Sequence, residues 1–137
     1  MAVLNVAVLG YGKMGKVYAQ CFEKNPNTRL VGIYNHNDNR RQEVQKDYPD
    51  VEYHTDWCAL IDNPEIQIVG ICTSTDQRFE QIQYCLEKGK HIICEKAMCL
   101  DVDQAKRILA MADRSDCCMH VASELELHPV IQAVTAH

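Results

Sequence analysis

Short apolar runs alternate with amphipathic stretches along almost the whole chain, and this alternation limits the fold more than any other feature. Six runs predict strands: VLNVAVLG, RLVGIY, VEYH, IQIVGICT, KHIICEK and CCMHVA. Their continuous Val, Ile and Leu are typical of parallel strands that are covered by helices on both faces. The sequence therefore predicts an α/β fold, a doubly wound parallel six-stranded sheet of the Rossmann type in three layers.

The predicted elements divide the chain unequally. Because the sixth strand ends near Ala122, we expect residues 1–122 to form a dinucleotide-binding domain. Pro129 suits the first turn of a further helix. We expect residues 123–137 to be the start of a linker to a C-terminal substrate domain that these residues do not include.

Composition and charge exclude several classes of protein. The chain is 47% apolar and 24% charged, as in an ordinary globular domain. A net charge of -5 argues against nucleic-acid and anionic-membrane partners. No apolar run approaches the roughly 20 residues of a membrane span, and the N-terminus lacks a signal-peptide layout. We therefore expect a cytoplasmic protein.

Eight cysteines lie in apolar runs, which predicts reduced core residues rather than a disulfide framework. A zinc site is the alternative, with His91 and Cys94 or Cys118 and His120 as the best local pairs. On a strand the first pair would point to opposite faces and the second would share a face. Two ligands do not complete a structural zinc site, so we expect no metal.

A G-x-G-x-x-G set stands directly between the first predicted strand and the first predicted helix. Gly10 permits a tight turn, Gly12 lets the backbone approach a pyrophosphate, and Gly15 lets the helix pack close to the strand. Lys13 and Met14 belong to the same predicted cofactor-binding loop at the helix N-terminus, which favours an anion. The alternative is that the glycines serve backbone geometry only.

The exits of the fourth and fifth strands offer further candidates, because ligands of open α/β sheets bind beyond the carboxyl ends of strands. Thr73 and Ser74 are predicted cofactor contacts, although capping of the next helix explains them equally well. Lys96 is the predicted catalytic residue, since an amine there can hold a substrate oxygen or pass a proton. Glu95 is a further predicted cofactor contact, and a salt bridge between Glu95 and Lys96 is the alternative role for the lysine.

Asn35 directly follows the second predicted strand, 20 residues after Gly15, where dinucleotide-binding units usually carry an acid. A carboxylate would bind the ribose of NAD and repel the 2′-phosphate of NADP, whereas an amide hydrogen-bonds without that repulsion. Three nearby side chains are candidates to supply positive charge to such a phosphate: His36, Arg40 and Arg41. The alternative is that Arg40 and Arg41 belong to a solvated helix face and that Asn35 merely tolerates either cofactor. We predict NADP preference or dual use of NADP and NAD.

The stretches VAVLGYGKMGKVYAQ and IVGICTSTDQRFEQIQYCLEKGKHIICEKAM resemble the N-terminal domain of the Gfo/Idh/MocA family, which includes glucose-fructose oxidoreductase and inositol dehydrogenase. The most specific marker is a strand ending in C-T, a helix closed by E-x-G-K-H and a strand ending in C-E-K. The resemblance implies an NAD(P)-dependent oxidoreductase that acts on a sugar, cyclitol or related small molecule. It implies that Lys96 occupies the position of the family's motif lysine, which lies beside the nicotinamide and the substrate.

Several positions depart from the family pattern. Ala97 and Ser74 replace prolines, Arg78 aligns with a histidine, and ASELEL replaces a G-[HF]-N-x-R-F-like run. The family's C-terminal domain, which supplies most substrate contacts, a catalytic histidine and the oligomer sheet, is absent from these 137 residues. The resemblance therefore implies cofactor binding without turnover by the isolated chain.

Two other functions stay open. Ala97 and the altered run after the sixth strand motivate a non-catalytic dinucleotide sensor or interaction module. A purely structural domain that has lost the nucleotide is disfavoured by the intact glycine spacing. A homo-oligomer also stays open, because exposed edge strands can pair with a second chain.

Overall fold

The structure is a computed structural model and describes residues 2–136, so Met1 and His137, the ends of the predicted ranges, lie outside the described residues. The strands are β1 (Leu4–Leu9), β2 (Thr28–Tyr34), β3 (Glu52–His54), β4 (Ile68–Ile71), β5 (His91–Cys94) and β6 (Met119–Val121). The helices are α1 (Lys13–Lys24), α2 (Arg41–Asp47), α3 (Trp57–Ile61), α4 (Thr75–Glu87), α5 (Val102–Asp113) and α6 (Pro129–Thr135).

All six strands are parallel, in the order β3-β2-β1-β4-β5-β6. The predicted doubly wound Rossmann sheet is thus confirmed. The strand order reverses direction between β1 and β4, and such a reversal leaves a crevice at the carboxyl ends of the strands. The site described below lies at this edge.

Two apolar clusters, one on each face of the sheet, form the core. Successive side chains of a strand point to opposite faces, so Val6 and Val8 of β1 join one cluster, whereas Ala7 and Leu9 join the other. Both pairs are fully buried, which explains why β1 is apolar at consecutive positions.

Local sequence sets several helix boundaries. Pro129 begins α6, as predicted. Gly89, at φ +70, ends α4, where its N–H donates to the Leu86 carbonyl and the Lys90 N–H to the Cys85 carbonyl. A 3-10 turn over Asp38–Arg40 leads into α2. The Asn37 side chain accepts a hydrogen bond from the Asn39 N–H and so starts that turn.

The eight cysteines are free thiols, but the prediction that they are core residues is wrong for two of them. Cys21 and Cys118 are exposed, because each lies on a face that the described residues leave uncovered. Within residues 2–136, no three His, Cys, Asp or Glu side chains are grouped so that they could hold a metal ion. The described helices include none with the length and apolar character needed to cross a membrane.

Candidate dinucleotide site

The exits of β1, β2 and β4 converge on one cavity of about 330 Å³. It is lined by Gly10, Gly12, Tyr34, Asn35, His36, Cys72, Thr73, Ser74 and Gln77. Six of these were predicted from the sequence as cofactor contacts, and strand order alone brings them together. Tyr34, Cys72 and Gln77 are additional lining residues that the motifs did not indicate.

The three glycines have different surroundings. Gly10 has φ +89, and a Cβ there would lie 2.9 Å from the Thr73 nitrogen. A Cβ at Gly15 would lie 1.8 Å from the Gly10 carbonyl oxygen, so only glycine lets α1 approach the loop this closely. A Cβ at Gly12 would meet no described atom within 4 Å. Gly10 and Gly15 therefore serve the fold, whereas Gly12 faces open space.

The N-terminus of α1 is suited to an anion. Gly12 is its N-cap residue and supplies no side-chain hydrogen bond, and the first turn carries no acidic residue. The first N–H groups of a helix have no partner within the helix, and the helix dipole adds partial positive charge there. Lys13 and Met14 follow in this turn, and both are exposed. The residues of the loop thus fit a pyrophosphate group.

Asn35 is buried and connects the glycine loop to the loop after β2. Its Oδ1 accepts a hydrogen bond of 3.2 Å from the Tyr11 N–H. Its Nδ2 is then directed at the carbonyl of Asn37 at 3.5 Å and at the Oδ1 atoms of Asn37 and Asn39, each at 3.4 Å. Tyr53 Oη donates to the same Asn37 carbonyl. A carboxylate at position 35 would repel these oxygens, which gives a local structural reason for the amide.

Of the three cationic candidates near Asn35, His36 and Arg40 differ in placement. His36 lines the cavity, and its Nε2 lies 2.8 Å from the Nδ2 of the Asn37 side chain. Arg40 is not among the lining residues, because its Nη1 lies 3.1 Å from Glu43 Oε2. Lys16 and Arg40 hold the pKa of the Glu43 carboxyl below its usual value. Arg40 would have to leave this ion pair in order to reach a phosphate.

Thr73 and Ser74 line the cavity at the β4 exit. Ser74 occupies the N-cap position of α4 but makes no side-chain capping hydrogen bond. Thr73 is buried, and its hydroxyl donates to Gln81 Oε1 on the next turns of α4. Side-chain capping is therefore not what these two hydroxyls do in the structure.

Glu95 and Lys96 at the β5 exit differ in exposure. Glu95 is buried, and its Oε1 accepts a hydrogen bond of 3.1 Å from Tyr18 Oη on α1. Burial raises the pKa of the Tyr18 hydroxyl, and the neighbouring Glu95 raises it further, so Tyr18 stays a donor. Lys96 is exposed, and the peptide bond that joins it to Ala97 is cis.

Arg78, on the first turn of α4, joins the β4 and β5 exits. Its guanidinium is buried and donates to the carbonyls of Thr73, Glu95 and Ala97. Arg78 is not among the residues predicted for the site, although its spacing from the apolar residues of the helix indicated that it is buried. It lies four residues before Ile82, on the buried face of α4.

A larger cavity of about 470 Å³ lies between α1 and the β5 and β6 exits. Its lining is Met14, Val17, Tyr18, Cys21, Phe22, Ile93, Glu95, His120, Ala122, Ser123, Glu126 and Leu127. None of these is a glycine of the loop, and most are apolar. Despite its size, this cavity lacks the chemistry that would hold a pyrophosphate, so the smaller one is the dinucleotide candidate.

A family model described as an oxidoreductase family with an NAD-binding Rossmann fold matches residues 4–123. Myo-inositol 2-dehydrogenase of Thermotoga maritima is 24% identical over 113 residues, which cover 82% of this chain and 34% of that enzyme. UDP-N-acetylglucosamine 3-dehydrogenase of Acidithiobacillus ferrooxidans is 26% identical, covering 96% of this chain and 41% of that enzyme. The chain spans about a third of the length of the curated relatives it matches.

Two solved structures resemble the fold closely. Biliverdin reductase of Synechocystis, in complex with biliverdin and NADP⁺, superposes with a TM-score of 0.89 at 24% identity. The superposed region covers 98% of this chain and 42% of the reductase chain. Myo-inositol 2-dehydrogenase of Lactobacillus plantarum superposes with a TM-score of 0.90 at 18% identity. The superposed region covers 98% of this chain and 40% of the dehydrogenase chain. At these identities the likeness shows the fold alone.

Proposed function

This chain belongs to the Gfo/Idh/MocA oxidoreductase family and forms its NAD(P)-binding domain, and we propose that the whole protein transfers hydride to or from a sugar, cyclitol or related hydroxyl or carbonyl compound. The observation that carries the proposal is the open space at Gly12 over the uncapped N-terminus of α1. The names of two relatives, an inositol dehydrogenase and a nucleotide-sugar dehydrogenase, support this substrate class.

Each strand exit has a role in this proposal. The N–H groups at the start of α1 bind the pyrophosphate, and Asn35 and His36 lie beside the adenosine ribose. The bound nicotinamide supplies or accepts the hydride. Lys96 holds the substrate oxygen and passes a proton to or from it. Thr73 and Ser74 line the cofactor's path between these ends, whereas Glu95, which precedes Lys96, lines the larger cavity.

Lys96→Ala in the full-length protein tests the catalytic role. We expect kcat to fall by about 10²-fold or more, as for loss of an acid-base group, while the cofactor Kd changes by less than about threefold. Lys106→Ala, at an exposed position of α5, is the matched control and should keep full turnover. Unchanged turnover in the Lys96 variant would contradict the proposal.

Cofactor choice is the second part of the proposal, and we favour NADP or dual use. Asn35 places no negative charge at the ribose, and His36 lines the same cavity. Titration of NADH and NADPH into the folded wild type and Asn35→Asp tests it, with Asn63→Asp as a control that adds equal charge at the opposite edge. We expect Asn35→Asp to weaken NADPH binding selectively. Tighter NADH than NADPH binding by the wild type would refute the preference.

A non-catalytic dinucleotide-binding module is the second candidate, favoured by Ala97 in place of the family proline. It shares cofactor binding with the first proposal but needs no Lys96 chemistry. Cofactor binding by the full-length protein without turnover of any polyol or sugar would favour it. We propose that the 137 residues alone bind cofactor without turnover, because the curated relatives are about three times as long.

A further inference from the structure

The Arg78 guanidinium makes an unusual set of contacts for a charged side chain. It is 7% exposed, and the partners of its hydrogen bonds are backbone carbonyls. Nε donates to Thr73 O at 2.8 Å, and Nη1 donates to Glu95 O at 3.0 Å and to Ala97 O at 2.6 Å. These carbonyls belong to the exits of two neighbouring strands, β4 and β5.

The geometry of this contact requires an arginine. A guanidinium presents five N–H donors in a rigid planar fork, so one side chain can bind carbonyls that face it from different directions. A lysine ammonium offers donors from a single nitrogen and would not reach all three carbonyls in the same way. Burial of the positive charge is tolerated because charge-assisted hydrogen bonds replace its lost hydration.

Lys96 lies between two of the carbonyls that Arg78 binds. The Glu95 carbonyl precedes it and the Ala97 carbonyl follows it, and both accept from the same nitrogen, Nη1. The third contact, to Thr73, fixes that nitrogen relative to the β4 exit, where the cavity lies. We propose that Arg78 is a positioning residue that sets the backbone of Lys96 relative to the bound cofactor. This inference rests on the proposed function.

The test uses Arg78→Met, Arg78→Lys and Lys96→Ala in the full-length protein, with Arg29→Met as a matched control. Arg29 is an exposed arginine that bonds Asn5 at the amino edge of the sheet. We expect Arg78→Met to lower kcat by about 10²-fold, the cost of misplacing a reacting group by about 1 Å, with little change in cofactor Kd. Arg78→Lys should recover part of this loss, and Arg29→Met should have no effect.

A double variant separates positioning from general stability. If Arg78 acts through Lys96, then Arg78→Met should cost less than about threefold in a Lys96→Ala background. Independent structural damage would instead give losses that multiply, and that result would overturn the proposal. Should Arg78→Met fail to fold, the same comparison is made with Arg78→Lys.

A second readout does not depend on turnover. Reductive ¹³C-methylation gives each lysine an NMR signal, and the Lys96 signal is the one absent from Lys96→Ala. We expect this signal to shift in the Arg78 variants and to stay unchanged in Arg29→Met. Unchanged kcat and an unchanged Lys96 signal in the Arg78 variants would overturn the inference alone. Unchanged turnover in Lys96→Ala would overturn the proposed function, and the inference with it.

Discussion

The two halves of the candidate site are built from different materials. On the proposed phosphate side, the loop between β1 and α1 shapes the site with backbone, through Gly10, Gly12 and Gly15, and Asn35 after β2 adds one buried side chain. On the proposed reaction side, at the β4 and β5 exits, polar side chains from two helices, one buried and one half-buried, hold the strand ends. Arg78 reaches there from α4 and Tyr18 from α1. The backbone half therefore tolerates no added atom at Gly10 or Gly15, whereas the side-chain half depends on single hydrogen bonds.

Gly15→Ala should give the largest effect and tests the phosphate side. Its Cβ would lie 1.8 Å from the Gly10 carbonyl oxygen, a backbone atom that cannot move without the loop. We expect the free energy of unfolding to fall by about 3 kcal/mol or more, measured by urea denaturation. Gly12→Ala should stay within about 0.5 kcal/mol of the wild type. Equal stability of the two variants would break the comparison.

Tyr18→Phe tests the reaction side. It removes the hydroxyl that donates to the buried Glu95 carboxylate, and we expect a loss of about 2 kcal/mol in unfolding free energy. Tyr84→Phe is the matched control, because the Tyr84 hydroxyl donates to Asp62 at an exposed site. The control should change stability by less than about 0.5 kcal/mol. Equal losses would mean that burial of Glu95 does not matter.

Gly12→Ala, the control above, should have its own effect on cofactor binding. The added methyl group enters the open space at the N-terminus of α1, where we propose that the pyrophosphate lies. We expect NADPH affinity to fall by about tenfold, or about 1.4 kcal/mol, with the thermal midpoint unchanged. Fluorescence titration of NADPH measures the affinity. An unaltered Kd would place the pyrophosphate elsewhere.

A further prediction concerns the pH dependence of stability and again the reaction side. Burial raises the pKa of the Cys94 thiol from 9.0 to about 11. Above pH 9 the unfolded thiol loses its proton first, so the unfolding free energy falls as pH rises from about 9 to about 11, by at most about 1.4 kcal/mol per pH unit. Cys94→Ala should flatten this decline, whereas exposed Cys118→Ala should not. If the wild type and Cys94→Ala showed the same pH dependence of unfolding free energy, the Cys94 thiol would not be the group responsible.

Sequence patterns predicted the phosphate side better than the reaction side. The glycine spacing and the position of Asn35 follow from local chain geometry, as do the six strands. The Tyr18–Glu95 hydrogen bond joins residues 77 positions apart, and no local pattern encodes such a pair. The spacing of Arg78 from Ile82 indicates the buried face of α4, but the carbonyls that its guanidinium binds follow β4 and β5, and only the packed sheet brings them to it.

The hydrogen bonds of Asn35 bear on how cofactor choice in this protein can be re-engineered. An aspartate at this position would face three oxygens that its amide now contacts, two from Asn37 and one from Asn39. Introduction of the acid that is typical of NAD-binding sites would therefore need compensating donors in the same loop. A change of cofactor preference would therefore require replacement of the whole segment 35–39, because its side chains hydrogen-bond one another, and not of Asn35 alone.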